Sequence, residues 1–574
     1  MIVGIDLGTT NSLIAVWENN APRLIANSLG EFLTPSCVSI DEDGSVLVGR
    51  AARERLQSHP EKTAAVFKRY MGSQKTIRLG KTAFRPEELS ALILRALKED
   101  AQAALGYPIE EAIITVPAYF SDAQRKATRA AGQLAGLRVE RLLNEPTAAA
   151  LAYGIHQRNA ETRFLVFDLG GGTFDVSVLD LFEGVMEVRA SAGDNALGGE
   201  DFALALADQF FQDNKLPATL KSDARFMQRL LAQAEAAKRA LSDSASAVIE
   251  VSHEQRTLSM TLDEAALERI CGGLLARLRD PVERALRDAN LRPAELDSVV
   301  LAGGATRMPL VRRLVARMFG RFPSCEINPD EVVAMGAAVQ AGLKMKDAAL
   351  DEIVMTDVAP YSLGIDTALQ LADGSYSNGH FDPIIERNST VPISRVKRYF
   401  PITEKQKLLE LNIFQGEARM AKDNIRLGTL ELKLPQLARE DSGVDVRFTY
   451  DVNGLLEVEA TVVRTQEAHL LRIAGNPGVL TEAEIAERFI ALSELKIHPR
   501  ERLEHRTLLA TAERLYQQFR GQQREWLARQ ILDFEQALES QDARRIASAK
   551  PHFERLLHEI EHDSFTRPMT DPVP

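Results

Sequence analysis

Up to about residue 345, short apolar runs alternate with longer segments whose apolar positions recur at helical spacing. The runs include IITVPAY (113–119), FLVFDL (164–169) and VVLAGG (299–304), and between them lie Ala-rich stretches such as 123–136 and 226–241. Strand and helix in turn predict an α/β unit with mainly parallel sheets. After Met345 the texture changes. KLLELNIF (407–414), RLGTLELKL (426–434), VDVRFTYDV (444–452) and LLEVEATVV (455–463) alternate apolar and polar residues with period two, as a half-solvated antiparallel sheet requires. From about Thr481 the period becomes helical again. Leu508, Leu509, Ala512, Leu515, Tyr516 and Phe519 share one face, Leu527, Ile531, Phe534 and Leu538 another, and Phe553, Leu556, Leu557 and Ile560 mark a last helix. These breaks divide the chain into an α/β unit (1–345), a linker (346–358), an all-β unit (359–479) and a helical tail (480–574).

Composition narrows the class. The 574 residues suit about three to four domains. With 69 Lys and Arg against 81 Asp and Glu, the net charge of −12 argues against general nucleic-acid or anionic-membrane binding. The three cysteines, Cys37, Cys271 and Cys325, form no Cys-x-x-Cys and have no nearby His pair, so neither a disulfide framework nor a zinc site is expected. MIVGIDLGTT lacks a basic n-region, and no apolar stretch is long enough to span a bilayer, so a cytoplasmic protein is expected.

The chemistry is concentrated in an internal echo. IVGIDLGTTNSLIAVW (2–17) and FLVFDLGGGTFDVSVLD (164–180) each run from an apolar strand through Asp-Leu-Gly and a Gly/Thr turn into a second strand. Glycines let backbone N–H groups close on phosphate oxygens, Thr hydroxyls add donors, and a strand-end carboxylate holds Mg²⁺ through its waters. One such hairpin reads as a tight turn. Two copies, with Asp6 and Asp168 in matching places, predict related lobes clamping a triphosphate from both sides. Gly303-Gly304 in VVLAGGATRMPLV opens a helix whose N-terminus suits the nucleotide's sugar or α-phosphate. Gly80-Lys81-Thr82 mimics the end of a Walker A loop, but Lys75 stands where its first glycine is needed, so a plain loop is expected there.

IDLGTTNS, VPAYFSDAQRKAT, LLNEPTAAALAYG, FDLGGGTFDVS, GGEDF and AGGATRMP, followed by PYSLGID, ERNSTVP and FQGE, resemble in order the signature blocks of the seventy-kilodalton heat-shock chaperones (DnaK-like). The shortened first lobe and small helical tail resemble the HscC-type bacterial branch. The resemblance implies a multidomain α/β + β + α protein: an actin-like two-lobed ATPase domain, an antiparallel β-sandwich that grips extended peptides, and a C-terminal helical lid. It implies ATP or ADP with Mg²⁺, and K⁺ beside them, as cofactors. Unfolded polypeptides are the implied clients, a J-domain protein is an implied partner, and an exchange factor is left open.

By motif, the resemblance gives Mg²⁺ to Asp6 and Asp168, and phosphate binding to Gly8, Thr9, Thr10, Asn11, Gly170, Gly171, Gly172, Gly198 and Gly199. Lys68, Glu145, Asp168 and Thr173 are the implied catalytic set, with Asp175 completing their network. Glu235, Lys238, Arg239, Ser242, Gly303, Gly304, Arg307 and Asp330 are assigned to adenosine. Pro117, Arg125 and Glu145 match the family's relay between domains, and Arg141, Asn144 and Asp357 its J-domain dock. Ile365, Tyr399, Leu409, Leu411 and Leu455 match the pocket for one apolar client side chain.

The chain also departs from the family. The linker Ile353-Val354-Met355-Thr356-Asp357 puts Thr356 where an apolar anchor is usual, which implies weaker linker docking. Ala368 and Ile402 replace the arch over the peptide, and Leu409 is larger than the usual valine. The segments after Met71 and at 243–262 are short, and the tail lacks the acidic terminus of eukaryotic cytosolic members. Two readings from other classes stay open: an actin-like filament protein, and a small-molecule kinase with the same nucleotide clamp.

Overall fold

The computed structural model describes the chain apart from residues 155–160, 183–184, 255, 325–326, 348–349, 351–353, 371–374, 404–405, 436–437, 473–479, 495–499, 520, 541–542 and 567–574. Ile353 of the linker and Cys325 therefore lie outside the described residues.

The echo in the sequence is an echo in topology. In the first sheet the strands run in the order Arg138–Asn144, Glu111–Val116, Ile2–Asp6, Asn11–Glu18, Ala21–Ile25. In the second the order is Ser298–Ala302, Thr162–Leu169, Phe174–Phe182, Val185–Asp194. In each, the strand ending in Asp-Leu-Gly pairs in parallel with a crossover strand on one side and antiparallel with its own hairpin partner on the other. Asp6 and Asp168 thus stand at equivalent strand ends.

Small residues let the two halves meet. Helix Glu145–Gly154 and helix Val332–Lys344 are rich in Ala and Gly and contribute buried residues to a core with side chains of both sheets. A Cβ at Gly336 would overlap the carbonyl of Ala148, and one at Gly4 would overlap the backbone of Ala337 and Ala338. Gly80 has φ +59° in the turn between Ile77–Leu79 and Thr82–Phe84, so Gly80-Lys81-Thr82 is a hairpin turn, as expected.

The β-rich part forms two four-stranded antiparallel sheets around one core. Strand Val354–Val358 connects it to the α/β part by pairing in parallel with Val185–Glu187, while Asp357 and Val358 pair with Val391 and Thr390. Thr356 sits in that strand with its hydroxyl buried and unpartnered among the described residues. An orphaned hydroxyl of this kind costs about 1–3 kcal/mol.

Helices Arg500–Gln518, Gly521–Glu539 and Ala543–Thr566 pack around Leu515, Leu527, Phe534, Phe553 and Leu557. Helix Glu482–Glu494 lies on the first lobe, where Leu492 enters the core and Arg488 binds Glu88 at 2.7 Å. Arg514 of the next helix binds Glu54 at 2.6 Å. No helix among the described residues is long and apolar enough to cross a membrane.

Glu87 lies fully buried beside this seam, its carboxylate 2.7 Å from Arg85. Burial pushes the carboxyl up from 4.5 to about 7; Arg85 opposes the shift and Glu88 adds to it. The folded chain keeps this proton where the unfolded chain has released it. Its contribution to stability is full below pH 4.5 and is lost as pH rises through 7. Between pH 5 and pH 8 that loss is on the order of 2 kcal/mol. Glu87→Gln is expected to lack it, so urea unfolding should show the variant gaining on wild type as pH rises.

Candidate functional site

The two Asp-Leu-Gly hairpins face each other across one cavity of about 620 Å³. A Cβ at Gly171 would overlap the Thr10 hydroxyl, and one at Gly172 would come within 2.7 Å of Thr9 Oγ1. Only glycine allows this approach. Gly171→Ala is expected to part the loops and weaken ATP binding at least tenfold in a fluorescent-nucleotide titration, while nucleotide-free peptide binding persists.

Asp6, Gly8, Thr9, Thr10, Asn11, Lys68, Glu145, Asp168, Gly170, Gly171, Thr173 and Gly199 line the hairpin end. Glu235, Lys238, Arg239, Ser242, Gly303, Gly304, Arg307 and Asp330 line the other. Gly172 and Gly198 line neither. A Cβ at Gly198 would sit 2.5 Å from the Gly171 backbone, so both serve packing: the Gly199 and Glu200 N–H groups donate to the Gly170 and Gly171 carbonyls at 2.9 Å. Cross-cleft contacts absent from the sequence reading are Thr10 Oγ1 to Glu200 at 3.3 Å and the Arg69 fork on Asp201. Asp243, Met308 and Arg312 also line the cleft. Asp243 and Arg312 fall just past the EAAKRALS and AGGATRMP blocks, so block matching stops short of them, while Met308 lies inside the second block as a residue with no polar group to single it out.

Lys68 is buried on a 3-10 turn whose preceding residue, Val66, has φ +58°, a costly conformation for a β-branched side chain. Its ammonium donates to Glu145 Oε1 at 2.7 Å. Around it the carboxylates crowd. Burial pushes Asp6 up to about 7, with repulsion from Glu145 next, while Lys68 and the Thr115 hydroxyl at 2.8 Å pull it down. Burial and then Glu145 push Asp175 up to about 8, and the same two causes, with Asp175 and Asp6, raise Asp168. Asp168 Oδ2 is buried without a partner among the described residues. An orphaned oxygen amid mutually repelling carboxylates fits a divalent cation. Among the described residues no three His, Cys, Asp or Glu side chains form a metal cage, so the donor set suits a cation that keeps its waters.

The Hsp70 protein family model matches residues 2–77 and 74–567. The chain belongs to the Hsp70 family. Chaperone protein dnaK3 of Thermosynechococcus vestitus is 39% identical across 97% of this chain and 87% of its own length. Chaperone protein DnaK 1 of a Synechococcus strain is 38% identical across 99% and 80%. These relatives do not single out the HscC-type branch. As an Hsp70 chaperone the protein is an ATP hydrolase, and the filament alternative finds no support among them.

Arg125 occupies the seam between this Hsp70's ATPase part and its sandwich. It donates to the carbonyls of Ala118 (3.0 Å), Phe120 (3.3 Å) and Asn453 (3.5 Å) and to Asn144 Oδ1 (2.7 Å). Pro117 follows strand Glu111–Val116 just before a turn at Ala118 and Tyr119, and the Tyr119 N–H donates to Asp175 at 3.0 Å. Asn144 donates to Asp357 at 2.9 Å, and both are buried; Arg141 donates to Gln340 at 2.9 Å.

In the sandwich, Ile365, Tyr399, Leu409 and Leu411 share one core cluster. Leu455 does not. It follows the Asn453-Gly454 turn, next to Arg125, at the far end of strand Val444–Tyr450 from Tyr399. At about 3.3 Å per residue that separation is roughly 20 Å. Val444, paired with Tyr399, takes the place assigned to Leu455. The Asn-Gly turn signal was the clue in the sequence. Leu369, Phe400, Ile402 and Leu408 remain exposed in the same β-rich part.

Proposed function

We propose that this Hsp70 couples nucleotide turnover in the two-hairpin cleft to capture and release of extended apolar segments by the sandwich. Residues 1–345 form the actin-like ATPase domain, 346–358 the linker, 359–479 the client-binding sandwich and 480–574 the lid. The observation that carries this reading is the facing pair of Asp-Leu-Gly hairpins, because a triphosphate between them touches both lobes and its cleavage alters both grips.

Asp6 and Asp168 would hold Mg²⁺ largely through water, and it would supply charge neutralisation to the triphosphate oxygens. Thr9, Thr10, Gly170 and Gly171 offer hydroxyl and backbone donors to phosphate. Lys68 directs its ammonium toward the terminal phosphoryl group, while Glu145 orients that ammonium and, with Thr173, the attacking water. Such a site works by positioning and charge compensation. Arg239 and Arg307 flank the base, each braced by an acid, Glu235 at 2.8 Å and Asp330 at 2.7 Å.

The seam at Arg125 and the paired linker strand transmit the change to the sandwich. Ile365, Tyr399, Leu409, Leu411 and Val444 accept one apolar side chain, and backbone pairing holds the rest of the client. For a J-domain partner Arg141 is the more accessible docking residue, since Asn144 and Asp357 are buried against each other. Release of a fluorescent apolar peptide is expected to quicken at least tenfold on adding ATP; release unchanged by nucleotide would overturn this reading.

A further inference from the structure

The base end of the cleft contains a carboxylate that the nucleotide chemistry so far leaves unused. Helix Ala224–Ala240 supplies Glu235, Lys238 and Arg239 and ends in a tight turn, where the N–H groups of Ser242 and Asp243 donate to the carbonyls of Arg239 (2.9 Å) and Ala240 (3.1 Å). The backbone N–H groups there are spent on the turn. Asp243 lines the cavity with Ser242, Met308 and Arg312. Among the described residues its carboxylate has no hydrogen-bond or ion-pair partner. Arg239 binds Glu235, Arg307 binds Asp330 and Asn328, and Arg312 Nε donates to the Thr306 carbonyl at 3.3 Å.

The placement is electrostatically costly. A carboxylate just past a helix C-terminus meets the negative end of the helix dipole, where a cation is preferred. A ligand donor offsets that cost.

We propose that Asp243 selects the base, accepting a hydrogen bond from the exocyclic 6-amino group of adenine and rejecting purines with a 6-oxo group. An ionised carboxylate only accepts. It therefore pairs with an amino group and repels a carbonyl oxygen in the same place. This rests on the reading of the cleft as an adenosine triphosphate site and adds the residue that distinguishes its base. Because Asp243 is exposed, the discrimination is about tenfold, well short of that in a fully buried polar pocket.

Inosine triphosphate is the decisive probe, since it carries the 6-oxo group without guanine's 2-amino group. Dissociation constants for ATP, ITP and GTP are measured on the full chain with Mg²⁺, for wild type, Asp243→Asn and Asp243→Ala. The ATP-over-ITP preference is expected to fall about tenfold in both variants. Asn can turn its amide to either base, and Ala offers nothing to either. Taking the ratio cancels any general effect of removing a negative charge. An unchanged ATP-over-ITP ratio in both variants, with ATP still bound, overturns the assignment of Asp243. A preference lost for GTP but retained for ITP overturns it too, because discrimination then resides at the 2-position. Failure of wild type to bind ATP would instead sink the reading of the cleft.

Discussion

Lys68→Ala is expected to slow single-turnover ATP hydrolysis about 10²–10³-fold while ATP still binds, since removing one preorganised charge donor costs about 3–4 kcal/mol of transition-state stabilisation. The expectation follows from its place among the carboxylates. Lys68 opposes the raised carboxyls of Asp6, Asp168 and Asp175, and its ammonium is held by Glu145 at 2.7 Å. Its truncation also leaves Glu145 buried without that partner. Lys68→Met, which keeps the packing against Phe120 but not the charge, should lose hydrolysis equally. Hydrolysis within threefold of wild type in both variants would remove Lys68 from the mechanism.

Arg125→Ala is expected to abolish the acceleration of peptide release by ATP while leaving ATP affinity within about twofold. One guanidinium there satisfies the carbonyls of Ala118, Phe120 and Asn453 and the Asn144 side chain, and Asn144 in turn holds Asp357 of the linker strand. Its loss leaves several buried acceptors unpaired, a destabilisation of about 3 kcal/mol at the seam. Arg125→Lys should not rescue the coupling, because a point charge cannot reproduce the fork of donors. Stopped-flow peptide release with and without ATP measures the effect. Coupling that survives in the alanine variant would place the relay elsewhere.

Much of the nucleotide cleft was legible because its chemistry is written in short contiguous blocks. Asp-Leu-Gly followed by Gly and Thr is a complete local device, and the strand it ends is apolar enough to locate. The helical tail was legible for a similar reason: Ala512, Leu515, Leu527, Phe534, Phe553 and Leu557 mark their buried faces by spacing alone. Gly172 and Gly198 show the limit. A glycine that approaches a phosphate and one that approaches another backbone look identical in a motif, and only the packed hairpin separates them. Leu455 fails differently, since apolar residues in a sandwich share one composition and strand register decides which end each occupies.

The residues alone determined the repeated Asp-Leu-Gly hairpin, the order α/β, β, α, and the family, because each depends on local pattern or on blocks read in sequence. Tertiary structure alone decided that Gly171 touches Thr10, that Val444 rather than Leu455 neighbours Tyr399, and that Arg125 ties the ATPase part to the sandwich. Those facts join residues far apart in the chain, and the free energy that brings them together belongs to packing between elements, which no local window of sequence contains.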